Sequence, residues 1–303
     1  MKKYLVLASV VMALFASYSC TKEGVYNPKE KISSIYESSQ SITSYTYGGL
    51  SYNDTDVVAK HLAQVWTWDG KLVSQIADYN DDGTIDETSI LTYDGKRLVK
   101  VSNPTGTEYS VFTYDGKYLA KVETYENGSL TSTATIEHDG KKVVRIVITG
   151  LNDEIINKGA IASLLPEKSM LKAIPNLKAT KSKTEETITF DFTWDGGNVV
   201  KAIMTSDEYT STVDYTFDSK KNPYAGFYAE AGDGDEFSML NKNNVLTAKN
   251  TMKEVGSNEE MVVNRTYEYE YDGSGFPTVR IETESMSEGI YSSITKNTTY
   301  FEY

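Results

Sequence analysis

The sequence predicts an all-β fold, an antiparallel up-and-down meander of about 14 strands, curled or barrel-like, with a short helical or loop insertion. Three observations lead there. A unit of the form aromatic-x-aromatic-Asp-Gly, followed by a charged residue and an apolar pair, recurs along the chain. Tyrosine is abundant (23 residues, against 9 Phe and 3 Trp) beside many Thr, Val and Ile, the residues that suit a half-buried pleated surface. Only 6 prolines interrupt 303 residues, and Asn-, Asp- and Gly-rich turns separate the repeats.

In chain order, residues 1–19 read as an export signal. Met1-Lys2-Lys3 is a basic start, and Tyr4 to Ala16 is an apolar run of 13 residues, too short to span a bilayer. The run leads to Ser17-Tyr18-Ser19-Cys20, with the chain's only cysteine where lipoprotein signal peptidase would leave an acylated N-terminus. This arrangement resembles that of bacterial lipoproteins, and acylation of Cys20 would hold the protein at a membrane without a transmembrane helix. Residues 20–31 then form the lipidated N-terminus and a polar tether, and residues 32–303 the repeat-built β domain.

Seven repeat units follow, with their aspartates at 69, 94, 115, 139, 195, 218 and 272, so successive spacings are 25, 21, 24, 56, 23 and 54 residues. The sixth is degenerate, Tyr215-Thr216-Phe217-Asp218-Ser219. Asp-Gly between apolar segments is a strong hairpin signal, and a type I′ turn with both residues at positive φ is the expected geometry. Second turns are expected at 80–83, 103–106 and 126–129. In the second unit Leu91 and Tyr93 share one face and Ile90 and Thr92 the other, so both faces are partly apolar, as in a curled sheet whose inside is packed or plugged. Each long spacing holds an insertion or a lost copy. Residues 151–186 are one such insertion: Asn152-Asp153-Glu154 can cap a helix to Leu165, Pro166 stops it, and a polar stretch without periodicity follows residue 177. The last residues, Thr299 to Tyr303, read as a final strand with alternating aromatics.

The chain resembles the Bacteroidota lipoproteins grouped as a domain of unknown function with a porin-like β fold. The residues that carry this are Lys31-Ile32-Ser33-Ser34-Ile35, the Tyr/Trp-Asp-Gly-Lys hairpins, Lys220-Lys221-Asn222-Pro223-Tyr224 and Leu240-Asn241-Lys242-Asn243-Asn244-Val245. The resemblance covers most of residues 30–303 and implies a curled or barrel-like sheet with no established activity. The hairpin unit is also similar to the Tyr-Asp repeats of Rhs-type shells, with one residue fewer between Asp and the apolar pair.

Charge narrows the partners. The formal net charge is −13, and Lys2 and Lys3 leave with the signal, so the mature surface repels nucleic acid and anionic lipid. Two histidines (His61 and His138) and one cysteine leave no zinc cluster and no disulfide framework. Asp78, Asn80, Asp82, Thr84 and Asp86 alternate as in a calcium loop, with Gly83 at the sharp turn, so Ca²⁺ is the cofactor to consider. The bidentate acid is missing, since Ser89 stands in its place. Trp66, Trp68, Tyr93, Tyr114 and Trp194 lie in aromatic rows that can stack sugars, or equally pack a sheet. No nucleophile elbow, phosphate loop or nucleotide fingerprint is present.

These readings lead to a lipid-anchored outer-membrane protein, on the periplasmic face or the cell surface. Its role is that of a non-catalytic binding or structural module, with a glycan or another envelope protein as partner. The alternatives are a carbohydrate-active enzyme or surface glycan-binding protein, the enzyme requiring two carboxylates facing across a cleft, and an outer-membrane-spanning β-barrel, which requires a continuous apolar outer belt.

Overall fold

The computed structural model describes residues 25–47, 50–151, 186–228, 235–288 and 291–303. Strands succeed one another up and down: β1 Ser34–Tyr47, β2 Leu50–Asp69, β3 Leu72–Tyr79, β4 Ile85–Asp94, β5 Arg97–Ser102, β6 Glu108–Asp115, β7 Tyr118–Glu126 and β8 Ser129–Asp139. The second half continues with β9 Lys142–Leu151, β10 Glu186–Asp195, β11 Asn198–Thr205, β12 Tyr209–Phe217, β13 Val245–Glu254, β14 Glu260–Tyr271, β15 Pro277–Glu288 and β16 Tyr291–Glu302. Each pairs antiparallel with its chain neighbours. β16 returns to β1, with Glu302 opposite Ser34 and Tyr291 opposite Tyr45, so the meander closes into a barrel.

All seven repeat units, six with Asp-Gly and one with Asp218-Ser219, are found as antiparallel strand pairs, and the expected count of about 14 strands rises to 16. The two extra strands are β1 and β16, which belong to no repeat unit and pair with each other to seal the barrel. The first long spacing falls between β9 and β10, and the helix expected there lies outside the described residues. The second holds a long connection inside the sixth hairpin, from Asp218 to Asn244.

The turn chemistry differs from expectation at one end of the barrel. Asp69 pairs with Leu72, so the central residues of the first hairpin are Gly70 and Lys71, and only the glycine takes positive φ, +57°. That is the pattern of a type II′ turn, in which glycine at the first central position suffices and the aspartate stays in the strand. The expected type I′ geometry occurs at the opposite end, where Asn127 (φ 49°) and Gly128 (φ 80°) join β7 to β8.

Among the described residues no element packs on the outside of the closed sheet, so buried strand residues point inward. Ile146 faces Phe190 and Val122 faces Ala134 across adjacent strands, all nearly inaccessible to solvent. At the Asp-Gly end the interior is filled by residues 218–228 and 235–244 of the connection between β12 and β13, which include a short 3₁₀ segment, Asp235–Leu240. Phe237 sits edge-on to Phe190 and Phe192, at ring distances of 5.4 and 4.7 Å, and Phe227 lies 4.9 Å from Trp66 and 4.6 Å from Tyr26. Phe237 holds φ at +56°, a region an aromatic residue rarely occupies, and burial of its ring offsets the strain. Asparagines tie the connection down. Asn198 Oδ1 accepts from the amides of Lys242 and Asn243 at 3.0 Å each, and the Asn222 amide donates to the carbonyls of Ser238 (2.8 Å) and Asn241 (3.0 Å). Gly197 stands where most units have lysine, because a Cβ there would come within 3.2 Å of the Lys242 side chain. At this end the described residues form a plug of aromatic side chains held by asparagine hydrogen bonds.

Candidate functional site

The aromatic rows are members of the wall. At the second aromatic of each unit the ladder slips by one residue: Thr67 faces Gln75 but Trp68 faces Val73, and the same slip follows Thr92, Thr113, Glu137 and Thr193. A bulge of this kind removes a ladder partner from the backbone, and the aromatic of the following unit supplies a donor in its place. Tyr93 Oη donates to the Val73 carbonyl at 2.9 Å, Tyr114 Oη to Leu98 at 2.7 Å and Trp194 Nε1 to Val143 at 2.7 Å. Trp68 Nε1 reaches the Ile32 carbonyl at 2.7 Å, and Tyr303 closes the series on Pro277 at 2.8 Å. Burial pushes the phenols of Tyr93 and Tyr303 above their ordinary range. Phe217 has no donor to give. In that degenerate unit the plug connection intervenes, with Asn241 Oδ1 accepting from the Val199 amide at 2.7 Å.

Thus Trp66 is buried in the plug, and Trp68, Tyr93, Tyr114 and Trp194 are half-buried with their polar edges spent on the neighbouring hairpin. Cations lie over several ring faces: Lys31 over Trp68 (5.2 Å), Arg97 over Tyr114 (4.3 Å) and Lys142 over Trp194 (5.8 Å). These contacts account for the rings as structural members.

Asp78, Asn80, Asp82, Thr84 and Asp86 lie at the other end, on the β3–β4 hairpin. Asp82 Oδ1 accepts from the Thr84 amide (2.9 Å) and hydroxyl (2.5 Å), and these bonds hold its carboxyl below the usual range. Asn80 Nδ2 donates to Thr84 Oγ1 at 3.2 Å, and Asp78 Oδ1 accepts from Gln64 Nε2 at 2.7 Å. Asp82 and Thr84 close the loop on each other as in an Asx turn, while Asp78 is turned to Gln64 of β2. Among the described residues no group of three or more His, Cys, Asp or Glu is placed to hold a metal ion. Cys20 lies outside the described residues.

Toward this distal end the inner face turns polar. Ser110 and Thr124 share a hydrogen bond at 2.9 Å, and Ser211 Oγ donates to Asn250 Oδ1 at 2.6 Å. The densest chemistry is on β14–β16. Arg265, 2% exposed, donates through Nε (2.8 Å) and Nη2 (2.6 Å) to Glu284 Oε2, and its Nε lies 3.5 Å from Glu282 Oε1. Beside them Arg280 Nη2 donates to Thr299 Oγ1 at 3.0 Å. A small cavity with room for roughly two waters separates Arg280, Tyr267 and Phe301 from Asn222 and Asn244 of the plug. Sequence reasoning missed this cluster, although a signal was present: Arg265 has the strand parity of Val263 and Tyr267, and Glu282 and Glu284 have that of Arg280.

A glycosidase needs one carboxyl kept protonated and a second ionised across a cleft. Glu282 and Glu284 are neighbours on one strand, and both face the Arg265 guanidinium.

The outer face is charged. Arg145 pairs with Asp191 at 2.6 Å across β9–β10, and Lys201 with Asp214 at 3.3 Å across β11–β12. Lys249 follows in register beside Asp214.

No known protein family is matched by the chain, and no curated protein matches it. Among solved structures it is similar to a porin-like protein from Bacteroides uniformis, with a TM-score of 0.49 and 10% sequence identity over 91% of this chain and 98% of that one.

Proposed function

We propose that the chain is a lipid-anchored, water-exposed β-barrel of the cell envelope that acts as a non-catalytic binding or structural module. The outer wall carries this reading. Cross-strand pairs such as Arg145–Asp191 and Lys201–Asp214 stand at its surface, and a charge facing lipid at the bilayer midplane costs about 2–4 kcal/mol for Arg or Lys. The plug supports it from the inside, because Phe237, Phe227 and Trp66 are buried within the barrel at that end. The pairing of Glu282 and Glu284 with Arg265 favours binding over hydrolysis.

Attachment then rests on Cys20 alone. The test is the full chain in a diderm host, wild type against Cys20→Ala, with metabolic palmitate labelling followed by membrane fractionation. The expected outcome is a labelled, membrane-bound wild type and an unlabelled variant in the soluble periplasmic fraction. A variant that folds and stays in the membrane without label would instead show that the strands themselves span the bilayer.

A further inference from the structure

The barrel closes, yet one strand outruns its neighbour. β2 is 20 residues long, while β3 has only 8. Pairing of β2 with β3 begins at Gln64 opposite Asp78, whereas pairing with β1 extends from Val65 to Leu50. Residues 50–62 therefore have a paired strand, β1, on one side only among the described residues, and at the base of this span His61 Nε2 lies 3.3 Å from Asp81 of the β3–β4 hairpin. An exposed edge of this length is a template for another strand, and proteins usually blunt it with proline, lysine or a covering segment. Here proline is absent, residues 51–57 are all exposed, and the single lysine, Lys60, lies over the Tyr300 and Tyr36 rings at 3.9 and 4.9 Å.

The side chains along the edge specify an occupant. Asp54 and Asp56 share the inner face, in register with Thr43 and Ser41 of β1. The Asp56 row continues through Thr295 to Glu284, which is already paired with Arg265, so the acidity of the inner side of the edge comes from Asp54 and Asp56 themselves. On the outer side Thr55 and the 63% exposed Val57 stand beside Ile42 and Ile294, a register pair that is 39% and 53% exposed. A second copy of the chain is a poor fit, because any two-fold register centred on residues 54 to 56 sets aspartate directly opposite aspartate.

We propose that the β2 edge, residues 50–62, binds an extended segment of a partner protein by strand addition, and that this segment alternates Lys or Arg with Val, Ile or Thr. Main-chain bonds supply the pairing. The basic residues extend the Asp54 and Asp56 rows, and the β-branched residues extend the Thr55 and Val57 side. The net charge of −13 favours encounter with a basic segment. This deepens the reading of the chain as a binding module, and it is tested separately, since membrane release reports anchoring and peptide binding reports the edge.

The probe is a fluorescein-labelled nine-residue peptide of alternating Lys and Val, titrated by anisotropy into the full mature chain. The expected result is saturable binding, weakened by at least about tenfold in Asp54→Lys/Asp56→Lys. N-methylation of one alternate set of peptide amides abolishes binding while methylation of the other set is tolerated, a readout that needs no variant protein. Absence of binding overturns the proposal. So does equal binding by both methylated peptides and by an isomer with its lysines in one block, which would be charge attraction without strand pairing. A concentration-dependent dimer in sedimentation, lost in the double variant, would also overturn it by assigning the edge to a second copy.

Discussion

The two ends of the barrel are built on different principles. At the plugged end one device is repeated: a glycine-first turn, a one-residue bulge, and an aromatic donor that bonds to the hairpin before it. Each unit completes its predecessor, so the sequence there must repeat. At the distal end the connections are short polar loops. The 80–84 and 103–107 loops each close through backbone bonds and an asparagine-to-threonine side-chain bond, Asn127-Gly128 is a two-residue turn, and β2 projects past β3 with no paired strand on that side among the described residues. The contrast teaches where a repeat-built barrel keeps its stability and where it is free to vary, since polar, loosely coupled segments are the ones a scaffold can spend on recognition.

The largest test of that division is the plug itself. Phe237→Ala removes a ring packed against Phe190 and Phe192 and leaves alanine in a left-handed conformation, so it is expected to destabilise by about 3–5 kcal/mol. Thr124→Val, on the inner face toward the distal end, removes one hydroxyl bond to Ser110 and is expected to lower stability by about 1 kcal/mol. Urea unfolding followed by tryptophan fluorescence measures both. Equal losses at the two sites would mean that the barrel has one uniform core and that the division is wrong.

A sharper test addresses the latch between hairpins. Tyr114→Phe keeps the ring but leaves the Leu98 carbonyl without its donor, and the expected cost is about 1–2 kcal/mol. Tyr109→Phe is the control. Its ring stacks on Tyr125 at 4.9 Å on the outer face, and the change is expected to stay within about 0.5 kcal/mol. A Tyr114→Phe variant as stable as wild type would make the repeated aromatic a packing residue only.

The same division explains what could be read in advance. The hairpins, the meander and a filled interior are legible because Asp-Gly turns and alternating aromatics are local signals, the dipeptide standing in six of the seven units. The turn type was misassigned because the dipeptide does not say whether the turn starts at Asp or at Gly, and the bulge near Val73 and its counterparts fixes that choice. β1 was missed as a strand because Ser34 to Tyr47 is rich in Ser and Thr and has no flanking Asp-Gly turn. The plug was unreadable for another reason. Lys220 to Tyr224 and Leu240 to Val245 look like surface loops, and only the closed barrel around them buries Tyr224, Phe227 and Phe237. The Arg265 cluster combines both difficulties, since its residues alternate correctly for an inner face yet carry charges that pattern rules assign to solvent.

The smallest expected effect is at the distal end, on the β3–β4 hairpin. Asp82 is fully exposed, and its bonds from the Thr84 amide and hydroxyl hold its carboxyl below the ordinary value. A carboxyl whose folded pKa is depressed binds its proton less readily in the folded loop than in the unfolded chain. Its contribution is therefore present above the unfolded value, near about 4, and is lost as pH falls through the lower folded value. The Thr84 amide resonance is expected to titrate with a midpoint below the usual carboxylate range in the wild type and to be flat in Asp82→Asn, with the melting temperature of the barrel unchanged by the substitution. Calcium added at neutral pH would have to draw Asp82 away from Thr84, so the same resonance reports that competition directly. A substitution at Asp82 that lowered the melting temperature of the whole barrel would couple the hairpin to the plug, and the two ends would then be one cooperative structure.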